Sequence, residues 1–211
     1  METLRPGDIG FGPIGGFIPG FFPVDVGQWL LARTSREERD IDHVFVVTES
    51  RHPIPTVRIV QAMPSGAEEI SIGREHWTDR YVYVRPAYAD QVDPFRPGLE
   101  YRSQGWRVAA AARKYVGTPY SFLDYAAIAG LHAGIKNGLI RRYVRSTGHM
   151  ICSQLADQAL FDAGFHVFND GRLSQDVMPC ELYRALIAMP GALVLHPGKD
   201  PSTRDWYPEA S

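Results

Sequence analysis

Four short apolar runs follow one another between residues 41 and 85, and they restrict the fold more than any other feature of the chain. Ile41 to Thr48, Val57 to Ala62, Glu68 to Ile72 and Tyr81 to Arg85 are each dense in β-branched and aromatic residues, the types that fit a pleated, half-buried surface. The links between them include Arg51-His52-Pro53-Ile54-Pro55 and Pro64-Ser65-Gly66, which suit turns and no regular element. Consecutive strands joined this way predict an antiparallel meander. In the first run, His43, Phe45 and Val47 face one way and Val44, Val46 and Thr48 the other. Both faces are largely apolar, so this strand is expected inside its sheet. Leu4 to Phe11 turns into a short strand, and Ala192 to Leu195 is a further one.

Later in the chain the apolar period lengthens from two to about four. Ser103 to Val116 is alanine-rich, with Ser103 as N-cap candidate, Gly117 at the stop and Pro119 beyond. Residues 124–145 read as helical in two pieces around Asn137-Gly138, and the basic end Arg141-Arg142-Tyr143-Val144-Arg145 reads as a solvated helix terminus. Ile151, Leu155, Ala159 and Ala163 recur every four residues beside Ala156 and Leu160, and Gly164 follows. That pattern predicts an amphipathic helix of about three turns with a C′ glycine. Asp176 to Leu186 is a proline-containing turn into a short helix. Together these elements predict an α+β domain.

The remaining segments read as connections. Gly12 to Pro23 is rich in glycine and proline yet carries Ile14, Phe17, Ile18, Phe21 and Phe22; such a loop is ordered and apolar, either capping the core or forming a lip beside a substrate. Val24 to Ala32 is a short helix or turn, Ser35 to Asp40 a solvated charge run, Pro86 to Glu100 irregular, and the tail from Pro197 polar and loose.

A chain of 211 residues with 45% apolar content is long enough for one full core. The net charge of −2 gives no bulk attraction to nucleic acid or an anionic membrane. Two cysteines, Cys152 and Cys180, argue against a disulfide framework, leaving room for a single Cys152–Cys180 bridge at most, and are too few for a cysteine metal cluster. The start of the chain lacks the basic-then-apolar pattern of a secretory signal, and the apolar stretch from Gly10 to Val26 is too broken by glycine and proline to span a membrane. The default expectation is a cytoplasmic location, with export without an N-terminal signal, as in a phage particle, as the alternative.

Cys152 falls at or just before the first turn of its helix, where unpaired N–H groups and the macrodipole favour a thiolate. A thiolate nucleophile needs a histidine base, and that base needs an orienting partner. Of the seven histidines, His43 opens a buried strand and would be held rigidly. If strand 43–48 pairs with strand 56–61 across a loop at 49–55, His43 lies directly opposite Gln61. Their Cβ atoms would then be about 4.5–5.5 Å apart on one face. The plainer alternatives are a satisfied histidine at a strand end and a buried structural cysteine. Asp42, one residue before, should point to the other face and is read as structural.

The order Pro6-Gly7-Asp8, His43-Val44, Val60-Gln61-Ala62, Gly117-Thr118-Pro119-Tyr120, Cys152-Ser153-Gln154-Leu155 resembles the circularly permuted branch of the NlpC-type cysteine peptidases and amidases. The resemblance runs from about residue 4 to about residue 186, including Val177-Met178-Pro179-Cys180-Glu181-Leu182. It implies a single papain-like domain over 1–211, with an antiparallel, barrel-like sheet packed against helices and the histidine half ahead of the cysteine half. A helical insertion would occupy about 124–147. It implies Cys152 as nucleophile, His43 as base and later acid, Gln61 as the group that orients the imidazole, and Tyr120 with the Cys152 N–H as oxyanion donors. Many members carry a carboxylate or histidine at the third position, where this chain has glutamine. The expected activity is hydrolysis of an amide or ester through a thioester, on a cell-wall peptide of peptidoglycan or a related amide. An acyltransferase or lipid-directed amidase is the alternative within the fold, and a non-catalytic binding or particle-structural protein the alternative outside enzymes. The expected partner is a small peptide, amide or acyl substrate, with no nucleic acid, no membrane-spanning segment, and neither metal nor organic cofactor.

Overall fold

The computed structural model describes residues 4–13, 41–51, 56–72, 81–91, 103–119 and 150–196. Most of the loop 12–23, the segments 24–32 and 35–40, Tyr120, the insertion at about 124–147 and the tail from 197 lie outside them. Among the described residues the chain forms six strands: β1 (Ile9–Gly12), β2 (His43–Arg51), β3 (Thr56–Met63), β4 (Gly66–Ile72), β5 (Val82–Arg85) and β6 (Leu193–Leu195). Three α-helices accompany them: α1 (Gln104–Arg113), α2 (Cys152–Asp162) and α3 (Pro179–Ile187). None is long and apolar enough to cross a membrane.

The fold is α+β, with one open antiparallel sheet in the order β4-β3-β2-β1-β5-β6. Two expectations are corrected here. The meander covers only β2, β3 and β4; β5 does not extend it, because β1 pairs with both β2 and β5 and so separates them. Nor does the sheet close like a barrel among the described residues, where β4 and β6 form its two edges. Local pattern reveals a strand but not its neighbour: β1 is only four residues long, yet Ile9 and Phe11 are fully buried, and that burial fits the sheet's centre.

β2 lies inside the sheet, as its two apolar faces require. Val44 and Val46 join Val60 and Ala62 in a core with Val108 of α1, Leu155 and Ala159 of α2 and Leu182 of α3. Phe45 and Val47 join Val57, Ile59 and Tyr83 in a second core on the other face. The four-residue period at Ile151, Leu155, Ala159 and Ala163 is the buried face of α2, with each of these residues at most 2% exposed. Gly164 follows at φ 90°, the left-handed C′ position.

The β2–β3 register carries one irregularity. Near the connection the pairs are Arg51 with Thr56, Ser50 with Val57 and Glu49 with Arg58; past Thr48 they become Val47 with Ile59 and Phe45 with Gln61. Thr48 is therefore the extra residue of a β-bulge. It is fully buried. Its hydroxyl donates to Glu69 Oε1 at 2.6 Å, with the Arg58 carbonyl at 3.2 Å. Glu69 in turn accepts from Arg113 Nε of α1 at 2.8 Å. Burial raises the Glu69 carboxyl, but the Thr48 hydroxyl, Arg113 and Arg58 outweigh it and hold the group below its usual value.

Arg5-Pro6-Gly7-Asp8 is a tight turn leading into β1, and it sits beside the bulge, with Gly7 N–H donating to the Val47 carbonyl at 2.8 Å and Val47 N–H to the Asp8 carbonyl at 2.9 Å. Asp8 N–H donates to Arg5 O, and Asp8 Oδ2 accepts from Arg5 N–H at 2.8 Å. Gly7 sits at φ 90°, and a Cβ there would meet Gly105 Cα at 2.4 Å, so the turn and α1 touch backbone to backbone. Asp8 receives Arg85 Nε and Nη2, each at 2.8 Å, with both side chains buried. Burial lifts the Asp8 carboxyl above the usual carboxylate range, while Arg85 and the Arg5 N–H pull against it.

Two stability outcomes follow. Asp8→Ala strands the Arg85 charge in the core and should cost about 3–5 kcal/mol by urea unfolding, whereas a double Asp8→Leu, Arg85→Met variant should recover much of it. Because the folded Glu69 pKa is depressed, its contribution is complete above the usual value near 4.5 and is lost as pH falls through the lower folded value. Glu69→Gln should therefore lower the urea midpoint at neutral pH and flatten its decline in acid.

Candidate active site

Cys152 is the first residue of α2, with Ile151 at the N-cap. Isoleucine offers no capping oxygen, so the helix start is tied down by its neighbours. Gln154 Oε1 accepts from Ile151 N–H at 2.9 Å, and Ser153 Oγ donates to the Val177 carbonyl at 2.7 Å. Gln154 and Ser153 are buried at 2% and 0% exposure. Cys152 and Cys180 are both free thiols.

The Cys152 sulfur lies at the start of β2, 4.0 Å from the Asp42 carbonyl. The ladder between β2 and β3 runs from Phe45–Gln61 onward, and the Val44 N–H, ahead of it, points at the sulfur. The N–H groups of Ser153 and Cys152 do the same. The sulfur is thus set among peptide groups on either side of His43. Burial nevertheless pushes the thiol up to about 11; the three N–H groups lower it, and the charge of Asp42 adds to the rise. The helix start acts in the direction anticipated from its dipole, but desolvation is larger. Among the influences on this sulfur, burial therefore favours the neutral thiol over the thiolate.

His43 and Gln61 are brought together, by a different route from the simple hairpin. Gln61 stands opposite Phe45, not opposite His43, so the two are diagonal neighbours on one face. His43 Nε2 lies 2.9 Å from Gln61 Oε1, and both residues are buried, at 3% and 5% exposure. The imidazole is tilted on Phe45, with ring centroids 5.9 Å apart. An amide oxygen only accepts, so this contact requires the proton on Nε2 and leaves the lone pair of the neutral ring on Nδ1.

One member of this arrangement is missed by the sequence reading. Gln61 Nε2 donates to Glu68 Oε1 at 3.0 Å. Glu68 is the direct cross-strand partner of Gln61 in the β3–β4 hairpin, whose loop is only Pro64-Ser65. Counting back from that two-residue loop would have found it. Asp42 enters the site through its carbonyl and its charge.

Tyr120 lies outside the described residues. Pro119 before it accepts a hydrogen bond from Met150 N–H at 3.0 Å, and Ala67 of β4 exchanges hydrogen bonds with Gly117 and Thr118. The Gly117-Thr118-Pro119 segment thus runs from the edge of β4 to a point two residues ahead of Cys152. A separate cavity of about 360 Å³ flanks the second half of α2, lined by Phe161, Phe165, Phe168 and Arg172, and contains neither Cys152 nor His43. Among the described residues no three His, Cys, Asp or Glu side chains are grouped to hold a metal ion.

Alkylation of Cys152 by iodoacetamide, read by intact mass against Cys152→Ala, should rise about tenfold per pH unit from neutral pH to about pH 9, as a neutral thiol requires. A rate already level near pH 7 would instead mean a resting thiolate–imidazolium pair. No known family model matches the chain, and no curated protein matches it in sequence.

Proposed function

We propose that this chain is a cysteine hydrolase of the circularly permuted, papain-like NlpC type, cleaving an amide or ester bond through a thioester acyl-enzyme. One observation carries the reading: a helix-terminal sulfur lies against the peptide groups flanking a histidine whose Nε2 is held by a buried amide. The strand that carries His43 and four of the other five strands of its sheet precede the cysteine helix, in keeping with the permuted order.

In this mechanism His43 Nδ1 takes the Cys152 Sγ proton as the sulfur attacks the substrate carbonyl carbon. The oxyanion is stabilised by the Cys152 N–H and the Tyr120 hydroxyl. The imidazolium, held by Gln61 Oε1, gives its proton to the leaving amine or alcohol as the carbon–leaving-group bond breaks. Water, deprotonated by His43, then attacks the thioester and releases the acid and the free thiol. A neutral glutamine fixes the ring but stabilises the imidazolium less than a carboxylate would, and the raised thiol pKa fits proton transfer during attack. The favoured substrate class is a cell-wall peptide or related amide, with acyl transfer or lipid amide cleavage next. The burial of Cys152, which raises its thiol, favours the rival reading, a non-catalytic binding or particle-structural protein with the same fold.

Incubation with muropeptides, acyl amides and lipid esters, followed by mass spectrometry, separates these. A cleaved product together with an acyl adduct on Cys152 is expected. Cys152→Ala should abolish both, and His43→Ala should lower kcat/KM by about 10²–10⁴-fold. Absence of turnover and adduct with all three classes would favour the binding protein.

A further inference from the structure

We infer that Glu68 is a positioning residue for this site: it dictates which way the Gln61 amide faces and thereby which His43 nitrogen carries the lone pair. The inference rests on His43 acting as the base of the proposed hydrolase. A primary amide presents an oxygen at one end and an NH₂ at the other, and nothing in its shape distinguishes them. Gln61 lies between two groups, His43 Nε2 at 2.9 Å and Glu68 Oε1 at 3.0 Å. An imidazole nitrogen either donates or accepts, so His43 alone would tolerate both amide orientations, each with its own tautomer. A carboxylate only accepts. Glu68 therefore takes the NH₂ end of Gln61 and turns Oε1 toward His43. That oxygen needs a donor, so Nε2 keeps its proton and Nδ1 is the basic nitrogen.

The backbone makes this chain of contacts stiff. Gln61 and Glu68 are directly paired across the β3–β4 ladder, two pairs from its closing Pro64-Ser65 loop. The histidine and the amide are buried, while Glu68 is half-buried at the edge of the sheet. Glu68 supplies from a distance what a carboxylate in Gln61's place would supply directly, namely an unambiguous acceptor. The tautomer matters because with the proton on Nδ1 the ring has no lone pair there to receive the thiol proton, and a wrong tautomer can cost orders of magnitude in turnover.

The test reads the tautomer directly. Two-bond ¹H–¹⁵N correlation of His43 in the full chain, above the pH at which the ring is neutral, should show Nε2 protonated and Nδ1 unprotonated. An Nδ1–H ring in the wild type would overturn the inference outright, whatever any variant does. In Glu68→Gln, which keeps the size and restores the ambiguity, a substantial fraction of the Nδ1–H form should appear, with the urea midpoint used to verify folding. Retention of pure Nε2–H in a folded Glu68→Gln would also overturn it. On a substrate that the wild type turns over, the same variant should lose about tenfold or more in kcat at nearly constant KM. A shifted tautomer in a protein that cleaves nothing would leave the role of Glu68 standing and remove the hydrolase reading instead.

Discussion

The single extra residue at Thr48 holds the candidate site together. In a strand, residues directly opposite one another share a face, and a shift of one residue moves a whole strand's side chains to the other face. Continued without interruption, the pairing beside the β2–β3 connection would set Gln61 opposite Val46, on the helix-facing side and away from His43. The bulge changes the pairing by one and sets Gln61 opposite Phe45, on the face that carries His43. The Thr48 hydroxyl is fastened to Glu69, and Glu69 to Arg113 of α1. The register that creates the His43–Gln61 contact is thus tied to the helical layer through a buried hydroxyl and a carboxylate.

The two halves of the site are set by different forces. The histidine half is a polar row, His43, Gln61 and Glu68, running across three neighbouring strands, each member held by a hydrogen bond and by cross-strand pairing. The cysteine half depends on packing: Ile151, Leu155 and Ala156 are fully buried, and they drive the start of α2 against β2. The same burial that fixes the sulfur raises its pKa, against the N–H groups that lower it. Packing and the helix N-terminus thus act on the sulfur in opposite senses, and packing is the larger.

Much of this was legible in the residues themselves. The period of α2 and the interior position of β2 both follow from alternation and helical repeat, because burial acts residue by residue along the chain. His43 with Gln61 was found, but through a register in which they face one another directly. That reading survives because the true offset is two residues, which preserves the face. Glu68 stands out less in the sequence because its place opposite Gln61 depends on the register of the β3–β4 hairpin and not on any local pattern. The neighbours of β1 and β5 were not legible, since a four-residue strand carries no mark of what it pairs with.

The sequence by itself determined which segments are strands and helices, which faces are apolar, and that Cys152 opens a helix while His43 opens a strand. These are local properties, set by side-chain period, turn residues and capping. The tertiary structure alone decided that β1 divides β2 from β5, that Thr48 bulges, that Glu68 reaches Gln61, and that the thiol at the helix start is raised and not lowered. Each depends on long-range pairing or on desolvation by residues far away in the chain, and neither leaves a periodic trace in the order of amino acids.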